Sequence, residues 1–203
     1  MPAKAGSEKI PDVTVWDEQD QKSSLWEKLQ STGEGPVIVL PVYTRCTLSC
    51  PTLTRKLLQA APSFESAAYR VLIFSFDPAD DAETLRTFRE REHLPSKWLV
   101  VRAQDAQIRR FVEYFRYSIR TEGSLLIHPN ELFLLDDGLQ WRATLVDVDW
   151  SAGELREWLK RVADPGVRGR VAMNPEKLAW TGFSGLLLGA GVCAGWLIRR
   201  KPS

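Results

Sequence analysis

The sequence predicts an α/β fold in which short buried strands alternate with amphipathic helices. Three apolar runs have the length and composition of buried strands: PVIVLPVY (36–43), RVLIFSF (70–76) and WLVVRA (98–103). Each run is followed by a segment with helical spacing of its apolar residues, and residues 131–146 carry a hairpin signal around Asp-Asp-Gly. A last helix follows the hairpin. This order of elements is typical of a thioredoxin-like α/β sandwich.

The helices are predicted from their ends as well as from their apolar spacing. Those after the three strands are expected over residues 51–61, 80–93 and 106–115. The first begins with Pro51, which a first helical turn tolerates because no backbone donor is needed there. The second has acidic residues first and basic residues later, which suits the helix dipole. The final helix, over 151–164, opens with Ser151 and has Glu154 three residues later, a capping box.

The C-terminal part of the chain predicts a membrane anchor. Residues 178–198 carry no charge and are long enough to cross the hydrocarbon core of a bilayer as a helix. Trp180 and Trp196 stand near its two ends, where amphipathic rings favour the interface. A buried helix of a soluble domain is the alternative. We therefore divide the chain into a thioredoxin-like domain (1–164), a linker (165–177), a transmembrane helix (178–198) and a short basic tail (199–203).

Composition limits the possible functions and the possible site residues. The chain has 27 basic and 26 acidic side chains, so nothing in its net charge of +1 indicates a nucleic-acid partner. It has three cysteines and two histidines. Cys193 lies in the predicted membrane span, where it is a small apolar residue. His93 follows a helix on the far face of the domain. Cys46, Cys50 and His128 are therefore the candidates for a reactive or metal-binding site.

Cys46 and Cys50 lie in the loop after the first buried strand, at the start of the next helix. The N-terminus of a helix stabilises thiolates and lowers the pKa of thiols. A spacing of four in a helix brings both sulfurs to one side, where they can form a disulfide or hold a soft metal ion. His128 would make a third ligand, which suits copper better than zinc or an iron–sulfur cluster, because those prefer four. Two unrelated buried cysteines and a structural histidine are the alternative.

Four segments carry a family resemblance: IPDVTVWDEQDQ, VYTRCTLSCP, FSFDPADDAETL and HPNELFLLDDG. Their order and content resemble the SCO/SenC family, the copper-handling proteins of cytochrome c oxidase assembly. The resemblance implies one copper ion held by Cys46, Cys50 and His128. It places Asp77 beside the site, to orient the loop or present charge to a partner; capping of the next helix is the alternative. It also implies a membrane-anchored domain facing the periplasm of a bacterial inner membrane, with the copper-bearing oxidase subunit as partner.

The sequence departs from the family's pattern close to the histidine. Thr47 replaces the proline usual after the first cysteine, and Ile127 and Pro129 flank the histidine in place of an acid and a serine. The segment between Phe115 and His128 looks short for the family's extended hairpin, and the predicted anchor is C-terminal, whereas many relatives carry it first. Thioredoxin-like folds place a cis-proline opposite the cysteine loop. We therefore hypothesise a cis His128–Pro129 bond that aims the imidazole at the sulfurs.

Three functions are open from the sequence. The leading one is a copper chaperone that delivers copper to, or matures, the binuclear copper centre of a cytochrome c oxidase. The second is a thiol–disulfide oxidoreductase, in which Cys46 attacks and Cys50 resolves the mixed disulfide; only then is the protein an enzyme. The third is a structural subunit of a respiratory membrane complex.

Overall fold

The computed structural model of the chain describes residues 8–65, 68–123, 125–164 and 166. Its strands are β1 (Thr14–Asp17), β2 (Lys22–Ser24), β3 (Val37–Val42), β4 (Arg70–Ser75), β5 (Leu99–Arg102), β6 (Arg120–Glu122), β7 (Leu125–Ile127), β8 (Glu131–Leu135) and β9 (Trp141–Val146). Its helices are α1 (Leu25–Ser31), α2 (Ser49–Ala60), α3 (Ala82–Glu92), α4 (Asp105–Phe115) and α5 (Ala152–Ala163), and a 3₁₀ turn, Ala61–Phe64, follows α2.

A mixed seven-stranded sheet organises the fold, in the order β2-β1-β5-β4-β3-β8-β9. The three central strands β3, β4 and β5 are parallel, because a helix carries the chain back between them. Every residue of β3 and β4 is buried, as expected for strands covered by helices on both faces. The remaining pairs of the sheet are antiparallel. The predicted α/β fold is therefore confirmed.

The register of β3 against its two neighbours decides where the site lies. Val42, the last residue of β3, is paired with Ser75 at the end of β4, so both strands release their chains at the same edge of the sheet. β8 runs antiparallel to β3, with Val37 opposite Leu135. The chain just before β8 therefore reaches the edge at which β3 ends. The cysteine loop, Asp77 and His128 meet there.

Every strand and helix predicted for residues 1–164 is present, with ends within two residues of the prediction. The capping box of α5 is confirmed: the Ser151 hydroxyl accepts from the Glu154 amide, and the Glu154 carboxylate accepts from the Ser151 amide. Four strands and one helix were not predicted. β1, β2, β6 and β7 have three or four residues each, and α1 has seven. Elements this short contain too few residues for a periodic spacing of apolar side chains to be recognised in the sequence.

The C-terminal predictions concern a part of the chain that lies outside the described residues. The linker beyond Gly166, the transmembrane helix over 178–198 and the basic tail over 199–203 all belong to it. Among the described residues, no helix is long and apolar enough to cross a membrane.

Candidate metal centre

The two cysteines lie at the junction between the β3–α2 loop and the helix. Cys46 is in the loop, where its amide donates to the Tyr43 carbonyl oxygen at 3.1 Å. Cys50 is the second residue of α2, and its amide donates to the Cys46 sulfur at 3.4 Å. Both side chains are buried, and both are free thiols. The three intervening residues thus bend the chain so that the helix N-terminus points at Cys46.

His128 brings an imidazole to the two sulfurs. Its Nε2 lies 3.4 Å from the Cys50 sulfur and 3.4 Å from the Ser49 hydroxyl. The two Sγ atoms and the imidazole nitrogen all lie within 4.8 Å of one another. Within the described ranges this is the one group of three or more Cys, His, Asp or Glu side chains with the spacing of a metal site. His93 is exposed at the end of α3 and takes no part in it.

The expectation of a cis bond before Pro129 is wrong. The described part of the chain contains no cis peptide bond. The imidazole faces the sulfurs because aromatic rings and hydrogen bonds hold it there. Tyr43 and Phe76 meet it edge-on, with ring centroids 5.7 Å and 5.1 Å away, and Tyr117 lies beside it at 5.9 Å. This aromatic wall limits rotation of the ring and keeps water from one side of the site.

The two thiols have opposite protonation tendencies. Donation from the Cys50 thiol lowers the pKa of Cys46, and the backbone amides of Cys50 and Leu48 act in the same direction. The neighbouring Cys46 sulfur, together with burial, raises the pKa of Cys50. These opposite directions favour a thiolate at Cys46 and a thiol at Cys50 in the reduced protein. Two thiolate ligands form only when a metal displaces the remaining proton.

This asymmetry predicts how the thiolate signal depends on pH. Because the pKa of Cys46 is lowered, its thiolate persists well below the ordinary cysteine pKa of about 8.5. The ultraviolet thiolate absorbance of the reduced, metal-free protein is therefore expected to survive acidification to about pH 5. Cys46→Ser is expected to abolish that absorbance and Cys193→Ser to leave it intact. A wild-type titration with a midpoint near the ordinary value would contradict the assignment.

Asp77 contacts the cysteine loop through a neighbour of Cys46. One carboxylate oxygen accepts from the Arg45 guanidinium at 2.5 Å, and the other accepts from the Ala79 amide at 2.9 Å. Asp77 is buried, whereas the Arg45 side chain is 64% exposed. The N-cap of α3 is Asp81, so the alternative capping role for Asp77 is wrong. Asp77 thus contacts the cysteine loop through Arg45, the residue before Cys46.

A second aspartate, which the sequence did not single out, holds the loop more directly. The Asp80 carboxylate accepts from the Thr44 amide at 3.0 Å, the Thr44 hydroxyl at 2.6 Å and the Ser75 hydroxyl at 2.5 Å. All three side chains are buried. In the sequence, Asp80 reads as part of the start of the next helix. Its contacts with Thr44, 36 positions away, are visible only in the fold.

Comparison with solved structures places the fold among known ones. A protein of Aquifex aeolicus VF5, whose proposed role is electron transfer, is 26% identical over 77% of this chain and 93% of its own, with a TM-score of 0.69. Copper-bound ScoI of Arabidopsis thaliana is 14% identical, over 76% of this chain and 98% of its own, with a TM-score of 0.64. The thioredoxin domain of a Bacteroides vulgatus thiol–disulfide oxidoreductase is 17% identical, over 80% of this chain and 100% of its own, with a TM-score of 0.54. The fold is thioredoxin-like, as predicted.

Sequence families identify the chain more closely than these distant structures do. No curated protein matches it significantly. The family model described as SCO1/SenC matches residues 15–164, which contain the whole sheet except one residue, the cysteine loop and His128. On that match, which spans most of the chain, this protein belongs to the SCO1/SenC family.

Proposed function

We propose that this protein binds one copper ion through Cys46, Cys50 and His128 and delivers it to the binuclear copper centre of a cytochrome c oxidase. The observation that supports the proposal best is the convergence of two sulfurs and one imidazole nitrogen within 4.8 Å. These atoms come from two segments 78 residues apart, which the sheet brings together. Family membership points to the same role.

The donor set fits copper better than other soft metals. Thiolates select copper(I), and an added imidazole favours copper(II). A structural zinc site prefers four ligands, and the described residues offer no fourth Cys, His, Asp or Glu at this place. A copper ion held by three ligands keeps one side open, from which the thiolates of an acceptor can take it over. Thr47 and Leu48 are exposed on the loop between the two cysteines and mark the side facing solvent.

We further propose that the protein works at a membrane. Residues 178–198 would anchor it, and the domain would face the periplasm, where the copper-bearing subunit of the oxidase presents its site. The uncharged length of that segment supports the anchor.

A thiol–disulfide oxidoreductase is the second candidate, favoured by the protonation of the cysteine pair. A thiolate at Cys46 beside a buried thiol at Cys50 is the arrangement needed for attack by one sulfur and resolution by the other. In that reaction the Cys46 thiolate attacks a disulfide of the substrate, breaks its S–S bond, releases one substrate cysteine as a thiol and forms a mixed disulfide with the other. Cys50 then displaces the substrate thiol and closes the Cys46–Cys50 disulfide, so the substrate gains two electrons.

An anaerobic copper(I) titration against a chromophoric chelator tests the metal-binding part of the proposal. The reduced full-length protein is expected to take up one tight equivalent. The Cys46→Ser/Cys50→Ser double variant is expected to take up none, and Cys193→Ser, which removes the remaining cysteine, to behave as the wild type. A wild-type protein without a tight equivalent, or a double variant that keeps it, would overturn the proposed site.

A further inference from the structure

On the side of the His128 ring that faces away from the sulfurs, Nδ1 forms a triangle with two other polar atoms. Nδ1 lies 2.7 Å from the Tyr117 hydroxyl and 2.9 Å from the carbonyl oxygen of Pro129. The Tyr117 hydroxyl in turn lies 2.9 Å from the same carbonyl oxygen. The Tyr117 side chain is buried, so water does not compete for these contacts from its side.

The proton count of this triangle selects one tautomer of the imidazole. The Pro129 carbonyl oxygen can only accept, whereas a phenol can donate and accept at once. If Nδ1 carries the proton, it donates to the Tyr117 oxygen, the phenol donates to Pro129, and every partner is satisfied. If Nδ1 carries a lone pair, that lone pair faces the Pro129 oxygen at 2.9 Å with no proton between them. Such an arrangement is repulsive, so Nδ1–H is favoured.

The other side of the ring agrees with that tautomer. With the proton on Nδ1, Nε2 presents its lone pair, and the Ser49 hydroxyl, 3.4 Å away, can donate to it. The Cys50 sulfur also lies 3.4 Å from Nε2, but its single proton is directed at the Cys46 sulfur. Nε2 is also the nitrogen that lies on the sulfur side of the ring, where a metal ion would bind.

The fold places Tyr117 here by ending α4 at Phe115, two residues earlier. Arg116 has a positive φ of 54° and closes the helix, with its amide donating to the Glu113 and Val112 carbonyl oxygens. The Tyr117 amide then donates back to the Val112 carbonyl oxygen at 2.8 Å, which turns the side chain under the sheet edge. There its ring packs edge-on against Phe76 and Phe133, at centroid distances of 5.7 Å and 5.9 Å.

We propose that Tyr117 is the positioning residue that holds His128 in the Nδ1–H tautomer and so presents the Nε2 lone pair to the metal. The residue before the histidine is Ile127, which offers no hydrogen bond from its side chain. Histidine ligands usually donate their second N–H to a carboxylate, a carbonyl or water. Here the hydroxyl of Tyr117, which itself donates to the Pro129 carbonyl oxygen, accepts the hydrogen bond from the Nδ1–H group. The tautomer assignment does not depend on copper, whereas the expected effect of Tyr117 on copper affinity rests on the proposed function.

Nitrogen-15 NMR of the histidine side chain reads the tautomer directly in the reduced, metal-free, full-length protein at about pH 8. With His93→Gln in every sample, His128 is the one histidine left. Nδ1 is expected at the shift of a protonated nitrogen and Nε2 at that of a lone-pair nitrogen. In Tyr117→Phe the Pro129 carbonyl oxygen is the remaining hydrogen-bond partner of Nδ1. The Nδ1 and Nε2 shifts are then expected to move toward each other, because both tautomers become populated.

The matched control is Tyr114→Phe, three residues earlier. It also removes one hydroxyl, which accepts from the Trp141 amide and donates to the Glu8 carbonyl, and it leaves His128 untouched. Its spectrum is expected to equal that of the parent. A parent spectrum with the proton on Nε2, a Tyr117→Phe spectrum equal to the parent, or an equal change in Tyr114→Phe would each overturn the proposal.

Copper(II) titration of the same variants separates this proposal from the proposed function. Tyr117→Phe is expected to lose roughly 10- to 100-fold in copper(II) affinity, the range found when a partner of a metal-bound histidine is removed. If the parent binds no copper while the NMR shifts behave as expected, the proposed function fails and the tautomer assignment holds. If copper binds tightly and Tyr117→Phe changes neither shifts nor affinity, Tyr117 has no positioning role.

Discussion

Replacing His128 by alanine is expected to remove tight copper(II) binding while leaving copper(I) bound. Two thiolates suffice for copper(I), which prefers soft sulfur ligands, whereas copper(II) gains strongly from an imidazole. We expect copper(II) affinity to fall by more than about 100-fold and copper(I) affinity by less than about tenfold. Competition titrations in the two oxidation states measure both quantities on the same preparation.

Two controls keep the His128 experiment interpretable. His93→Ala removes the other histidine, which is exposed at the end of α3 and apart from the sulfurs, and is expected to change neither affinity. His128→Gln fills more of the space beside Tyr43 and Phe76, so it separates loss of a ligand from loss of packing. Equal losses of both oxidation states in His128→Gln would contradict the role given to the imidazole.

Replacing Asp80 by alanine is expected to destabilise the domain and loosen the cysteine loop. The change leaves the Thr44 amide, the Thr44 hydroxyl and the Ser75 hydroxyl without their acceptor in a buried place. An unsatisfied buried donor costs about 1–3 kcal/mol, and three of them share this acceptor. Allowing for local rearrangement, we expect the free energy of unfolding to fall by about 3 kcal/mol, measured by urea denaturation of the reduced, metal-free protein.

The matched control for Asp80 is Asp149→Ala. Asp149 is exposed in the turn before α5, and an exposed aspartate of this kind contributes less than about 0.5 kcal/mol. Its unfolding midpoint is expected to coincide with that of the wild type. An Asp80→Ala variant with a wild-type midpoint would show that the loop does not depend on this carboxylate.

The sequence predicted five strands of the main sheet, the four longer helices of the domain and the three candidate ligands because each has a local signature. β3 and β4 are continuous apolar runs, and the two cysteines mark the loop between β3 and α2. His128 followed from its scarcity and from the family's motif. Asp77 was predicted beside the site, and its contact with Arg45 lies there.

The groups that hold the site in shape could not be predicted in the same way. Asp80 is one aspartate among several at the start of a helix, and its partners come from the ends of two strands. Tyr117 lies 11 residues before His128, and their contact depends on a helix end and a short hairpin between them. The wrong expectation at Pro129 had the same origin: it drew the ring's direction from one bond, whereas three aromatic rings and a hydrogen-bonded triangle set it.

Copper transfer to an acceptor tests the central claim most directly. The copper(I)-loaded full-length protein is mixed anaerobically with the reduced, metal-free copper domain of the oxidase subunit from the same organism. The account predicts that copper(I) leaves Cys46 and Cys50 for the acceptor. When protein loaded with copper(II) is added as well, the acceptor is expected to develop the visible and EPR spectra of a binuclear centre. Retention of copper by the donor would contradict copper delivery. If, in a parallel mixture with the oxidised acceptor, the reduced metal-free protein converts the acceptor disulfide to thiols, the oxidoreductase is established instead.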